Sequence, residues 1–212
     1  MKKLVCGMVM GLSLVTMVAA QHRGRDNPDF LAAEFNPKYT ASSIMLEEVS
    51  GGVRIYAAQN LGRYLYSVAD DATQLMWNQE HLPWMEGAAG NGVGQTITLS
   101  CDKSFSSLSI LNGYVDLANP AAFRENSRAK SIRIEDLDNG LVYQLDLADE
   151  IAFTGIQLEL PTCNVLLRIT AVYEGSVYQD ACISALIPED APSTFYFQGQ
   201  GDSRAVGVGR RF

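Results

Sequence analysis

Histidine is almost missing from this chain of 212 residues, which holds His22 and His81 and no others. His22 falls in a polar arm, and His81 stands near Pro83 with no serine–aspartate or cysteine set to serve. Histidine-based nucleophilic catalysis therefore has little to work with. Positive charge is also short, with 16 Lys+Arg against 24 Asp+Glu and a formal net charge of −8. An acidic balance argues against a phosphate backbone or an anionic lipid surface as the main partner, so nucleic acid is not expected. Neutral sugars, cations and other proteins remain open. No glycine-rich phosphate loop fits either. Gly90-Asn91-Gly92-Val93-Gly94 leads into a strand pattern, so a phosphate would find no helix N-terminus there. Beyond the N-terminus no apolar run is long enough to cross a membrane as a helix.

The N-terminal run is a different matter. Residues 1–20 combine Lys2 and Lys3, an uncharged apolar stretch, and Val18 and Ala20 at the −3 and −1 positions of a cut before Gln21. This is the layout of a secretory signal peptide, which predicts an exported protein, periplasmic or secreted, with no transmembrane segment after cleavage. Removing Lys2 and Lys3 makes the remainder more acidic by two charges. What is left suits one sizeable β domain and not two. Residues 21–40 read as an irregular arm, 41–190 as the domain, and 191–212 as a last strand and tail.

From residue 41 on, the dominant period is two. Gln95-Thr96-Ile97-Thr98-Leu99, Leu108-Ser109-Ile110, Ile132-Arg133-Ile134-Glu135, Tyr143-Gln144-Leu145-Asp146-Leu147 and Ile156-Gln157-Leu158-Glu159-Leu160 all alternate. Alternation of this kind marks half-buried antiparallel strands. Turn signals at Asn91-Gly92, Asn112-Gly113, Asp138-Asn139-Gly140 and Glu174-Gly175-Ser176 separate them. With no convincing helical period between, the fold class is all-β, an antiparallel sandwich or jelly roll. Residues 58–77 have room for a short helix.

The least ordinary stretch is 70–94, which holds Trp77, Trp84 and four glycines. Long loops of a sandwich gather at its ends and carry binding. An aromatic ring for a sugar face, with Asp, Glu, Asn and Arg for its hydroxyls, holds neutral glycans. Trp84, Glu86, Asn112, Tyr114 and Arg128 offer that mix, with Asn126 beside Arg128. Two readings stay open for Trp84, a ligand contact or a plug for one end of the core. Arg128 is open in the same way, as a donor to ligand oxygen or to the carbonyls that shape its loop. Asp70, Asp71 and Thr73 offer oxygen ligands for calcium, though three oxygens are half a site and an ordinary solvated acidic turn is the favoured reading. No other cofactor is indicated. A glycosidase would need a second carboxylate at a set distance from Glu86, which spacing alone does not supply. After export three cysteines remain, Cys101, Cys163 and Cys182, so at most one internal disulfide forms. Cys163 and Cys182 flank two late neighbouring strands and are the expected pair. The alternative is three buried thiols, and their spacing matches no zinc pattern.

The ordered series Trp84-Met85-Glu86-Gly87, Gly90-Asn91-Gly92-Val93-Gly94-Gln95, Asn112-Gly113-Tyr114, Asn126-Ser127-Arg128-Ala129-Lys130 and Val172-Tyr173-Glu174-Gly175-Ser176-Val177-Tyr178-Gln179-Asp180-Ala181-Cys182-Ile183-Ser184 resembles the NADase-type glycan-binding domain. The resemblance spans about 41–190 and implies a discoidin-like, galactose-binding-like jelly roll. It also implies a glycan or glycosylated protein as partner and no NAD hydrolysis. Expectation therefore runs first to a non-catalytic lectin-like protein. A structural or interaction component of a bacterial envelope or periplasmic appendage comes next, and a glycan-processing enzyme using Glu86 last.

Overall fold

A computed structural model describes residues 35–62, 82–116 and 118–190. The expected signal segment, most of the expected arm, Asp70, Asp71, Thr73, Trp77 and the 191–212 tail lie outside the described residues. The described strands are β1 (Lys38–Ala41), β2 (Met45–Val49), β3 (Gly52–Tyr56), β4 (Trp84–Met85), β5 (Thr96–Asn112), β6 (Ser127–Asp136), β7 (Val142–Asp146), β8 (Phe153–Tyr173) and β9 (Ala181–Glu189). A 3-10 turn at Ala58–Gly62 and a single-turn helix α1 (Ala122–Glu125) complete the set.

Two long strands organise everything else. β5 runs 17 residues and β8 runs 21, and each serves two sheets. The first part of β5 pairs with β1 and with the late part of β8, setting Ile97 against Leu167 and Leu99 against Val165. β6 and β7 extend that layer beyond β8. The later part of β5 pairs on one side with the start of β8, Leu111 facing Phe153, and on the other with β9, Ile110 facing Leu186. β4 then adds to β9, completing the second layer. Between the two parts the β5–β8 register breaks around Phe105. A bulge bends and twists a strand, and this is how a strand passes from one layer of a sandwich to the other.

Alternation explains which side chains fill the space between the layers. Ile97, Leu99, Leu108, Ile110, Ile132, Ile134, Val165 and Leu167 occupy same-face positions and are at most 1% exposed, and Phe105 seals the bend between them. A smaller cluster of Leu111, Val115, Phe123 and Ala185 covers the outer side of the second layer. Tyr56, Met85 and Cys182 form a third cluster beneath the β2–β3 hairpin, which pairs only with itself.

Three expectations need correction. The arm does not stay irregular to residue 40, because Lys38–Ala41 pairs with β5 and Phe35 is buried in the core. The stretches 95–99 and 108–110 are parts of one bent strand, and 156–160 is the early part of a strand that runs on to Tyr173. Cys163 and Cys182 do not pair, and all three described cysteines are free. Cys182 faces Arg128 at the start of β6, whereas Cys163 lies next to Asn164 and Val165, and Val165 faces Asp136 at the far end of β6. Eight strand residues separate those ends by roughly 26 Å, far beyond the reach of a disulfide.

Leu99→Ala empties a fully buried position of the first layer. A loss of about 3 kcal/mol is expected in urea unfolding, with unchanged m. Leu160, which is 45% exposed, should lose no more than about 0.5 kcal/mol on the same change.

Candidate functional site

The first residues of β9 collect three segments at one end of the sandwich. Trp84 and Met85 pair with Ile183 and Cys182, Asn112 pairs with Ile183, and Arg128 pairs in parallel with Cys182. Glu86 and Gly113 also donate their backbone N–H groups to the Ala181 and Cys182 carbonyls. The structure therefore brings Trp84, Glu86, Asn112, Asn126 and Arg128 to the same end, as the sequence reading expected. It places them inside the protein and not on its surface.

Trp84 is 0% exposed, and its indole N–H donates to the Ser43 carbonyl at 3.0 Å. Both ring faces are covered, so the core-plug reading holds and the sugar-stacking one does not. Asn112 grips Ala129 from both sides of its amide, donating to the carbonyl at 2.6 Å and accepting from the N–H at 3.1 Å. Asn126 donates to the Ala122 carbonyl and so closes α1. Arg128, with its side chain 5% exposed, makes a two-nitrogen bridge to Asp149, with Nη2–Oδ2 at 2.8 Å. Its Nη1 donates to the Asn126 carbonyl, and its guanidinium lies 5.0 Å from the Phe123 ring centre and 5.5 Å from that of Tyr173. A forked donor held between a carboxylate and two rings is spent on structure, which settles Arg128 as a shaper of its loop. Tyr114 is half-buried edge-on to Tyr56, 6.2 Å between centres, on the hairpin side of this end.

Glu86 is unusual. It is 0% exposed, its Oε2 accepts from Ala88 N–H at 2.8 Å, and its Oε1 has no hydrogen-bond partner among the described residues. Burial pushes its carboxyl above the ordinary carboxylate range, and the nearby Asp180 adds to the effect. Asp180 is itself raised by burial. Sealed in this way, Glu86 has no face to offer a glycoside.

What is open at this end is a cleft of about 300 Å³ lined by Gly90, Asn91, Ser127, Glu174, Gly175 and Gln179. One wall is the glycine turn. Gly92 has φ +86°, and a Cβ there would run into Ala181, so the turn lies flat against β9. The other wall is the loop after β8, hung from the end of α1. Ser176 N–H donates to the Arg124 carbonyl, and those of Val177 and Tyr178 donate to Glu125. Helix-end carbonyls lack partners of their own, so a one-turn helix is well suited to hold a loop this way. Ser127 Oγ takes the Gly175 N–H at 3.0 Å, and a Cβ on Gly175 would clash with the carbonyls of Tyr178 and Glu125. Tyr178, the chain neighbour of the lining residue Gln179, is 53% exposed. Sequence reasoning had Asn91, Ser127, Glu174, Tyr178 and Gln179 inside its motifs but did not single them out as site residues. Their visible signal was the pair of turn signatures, Asn91-Gly92 and Glu174-Gly175-Ser176, which the fold sets face to face.

A bent-strand β-sandwich with its ordered motifs folded onto one loop-bearing end defines a discoidin-like jelly roll. Residues 65–187 match the NAD glycohydrolase translocation F5/8 type C domain, and the chain belongs to that family. No curated protein sequence matches the chain. Among solved structures it is similar to the family 32 carbohydrate-binding module of C. perfringens NanJ in complex with galactose. The identity is 13%, the coverage 71% of this chain and 90% of that one, and the TM-score 0.43. The family 32 module of Streptococcus pneumoniae EndoD gives 11%, 73%, 97% and 0.44 in the same order. Discoidin II of Dictyostelium discoideum gives 11%, 71%, 54% and 0.40.

Trp84→Ala should cost about 3–5 kcal/mol in urea unfolding, as truncation of a filled core position does. Asp149 is held below its ordinary range, first by the Arg128 hydrogen bond. A carboxyl lowered on folding contributes stability that is complete above its ordinary range and lost as pH falls through its folded value. The urea midpoint should therefore fall on acidification in that window, and Asp149→Asn should flatten the fall. The same variant should lose about 2–3 kcal/mol at neutral pH, because Arg128 stays buried without its partner while Asp149 was partly solvated.

Proposed function

We propose that this protein is an exported, non-catalytic carbohydrate-binding module that holds a neutral glycan in the cleft between the glycine turn and the loop after β8. The observation that carries this reading is the cleft's lining. Asn91, Glu174 and Gln179 bring amide and carboxylate groups to one concave surface whose walls are tied to β9 and α1, with the buried Ser127 hydroxyl engaged by the Gly175 N–H. Sugar hydroxyls need donors and acceptors fixed in place, and the exposed Tyr178 ring beside them suits an apolar sugar face. The family resemblance of the motifs supports the same reading, as does the acidic charge balance, which disfavours anionic ligands. In this proposal Trp84, Asn112, Asn126 and Arg128 are the frame of the site. The signal-like 1–20 segment takes the chain out of the cytoplasm, to the periplasm or beyond.

The test is a glycan array with the wild-type protein, Asn91→Ala and Gln179→Ala, with and without calcium. Wild type should bind a defined set of sugars. Each variant should weaken that binding about tenfold, as loss of a good hydrogen-bonding side chain does, with Tm within about 2 °C of wild type. A blank array from well-folded wild type overturns the reading.

A second reading, an interaction component of an envelope or appendage assembly, draws on the β2–β3 hairpin. Leu46 faces Ile55 across the hairpin and Val53 shares their side, at 58%, 49% and 56% exposure. A sheet face of that kind is uncommon on a protein that works alone.

A further inference from the structure

The core-facing ladder between β5 and β8 ends in two cysteines. Ile97 faces Leu167 and Leu99 faces Val165, and then Ser100 faces Asn164 as the last regular pair before the bulge. One residue beyond that pair on each strand stand Cys101 and Cys163, at the edge of the bulge. Alternation turns Cys101 to the side of Ile97 and Leu99, and Cys163 to the side of Leu167 and Val165. Burial agrees, since Cys101 is 8% exposed and part of the main core while Cys163 is half-buried. Each cysteine is the chain neighbour of one member of the Ser100–Asn164 pair, and a disulfide requires their Cα atoms to come within about 4.4–6.8 Å. Burial pushes the Cys101 thiol up to about 12, and Cys163 is the next contributor. Cys182 sits at the opposite end of β6 and takes no part.

We propose that Cys101 and Cys163 form a redox-active pair that closes into a disulfide across the bend of β5 and β8. The more exposed Cys163, as thiolate, attacks one sulfur of an external disulfide such as oxidised glutathione or a disulfide oxidoreductase. A mixed disulfide forms and one external thiolate leaves. Cys101, deprotonated, then attacks the Cys163 sulfur, which closes the protein S–S bond and releases the second external thiolate. Two protein thiols are oxidised, one external disulfide is reduced to two thiols, and the two protons pass to the departing sulfurs. The raised Cys101 thiol makes the second step the slow one. The new bond staples the two sheet-switching strands where their hydrogen-bond register is broken.

The experiment uses full-length protein carrying Cys6→Ser throughout, exposed to oxidised glutathione or kept in dithiothreitol. Disulfide-linked peptides are then identified by mass spectrometry without reduction. A Cys101–Cys163 link is expected, with Tm about 5–15 °C above that of the reduced form, the scale for closing a loop of about 60 residues. Cys182→Ser should keep the link and the shift. Cys101→Ala, which preserves the apolar lining, should lose both and leave Cys163 capped by glutathione, whereas Cys163→Ser should leave Cys101 unmodified. Recovery of all three thiols unlinked, a Cys163–Cys182 link, or stable glutathione capping of Cys163 in the parent would each overturn the proposal. None of these outcomes depends on whether a glycan binds.

Discussion

The start of β9 is the constraint on which the rest of the molecule hangs. Within Ala181–Ile183, one short stretch of backbone meets β4, β5 and β6, and the contact with β6 is parallel where the other strand pairings are antiparallel. That parallel contact joins the two layers at one end, so β5, β8, β6 and β9 form a closed circuit of pairings. A closed circuit leaves fewer free strand edges and removes freedom from every loop that enters it. The glycine turn lies on Ala181, the Asn112 amide grips β6, and the β8–β9 loop is hung from α1. The cleft is the gap left between loops whose ends are all fixed to the same few residues.

Such a closure asks for polar groups in places that would otherwise be apolar, and each must be satisfied. Arg128 shows the cost and the solution. A guanidinium at 5% exposure has its donors met by Asp149 and the Asn126 carbonyl, with two aromatic rings beside it. It joins β6, α1, the 147–150 segment and the end of β8 in one contact set. Glu86 is the incomplete case, with one oxygen partnered and the other without a hydrogen-bond partner among the described residues. Its raised proton affinity follows from that environment, since a protonated carboxyl is less costly to bury than a charged one.

The sandwich was legible from alternation because burial between two layers imposes a period of two on whichever residues face inward. Ile132 and Ile134, or Tyr143 and Leu145, declare their faces without help from anywhere else in the chain. Strand continuity was not legible. The bend of β5 replaces clear alternation with Cys101-Asp102-Lys103-Ser104, so one strand reads as two. The cysteines failed for the same reason. Pairing depends on register, and register past a bulge is set by the partner strand and not by distance along the chain. The end of the sandwich that gathers the motifs was readable as a set of residues, but their depth was not. Trp84 and Arg128 have the chemistry of ligand contacts and the burial of framework, and only the enclosing strands decide between the two.

That distinction governs what family membership says about this chain. The motif residues that mark the family are largely those that fix β4, the glycine turn, Asn112 and Arg128 around β9. They define the shape of one end of a jelly roll. The groups with accessible surface at this end, Asn91, Glu174, Gln179 and the ring of Tyr178, ride on loops whose backbone is pinned by glycines and by α1. A loop held by its backbone can exchange such side chains with little effect on the fold, because few core contacts depend on them. On the proposed reading, the specificity of this end is a property of a handful of exposed positions laid on a fixed frame. The same frame can serve different ligands without changing the residues by which it is recognised.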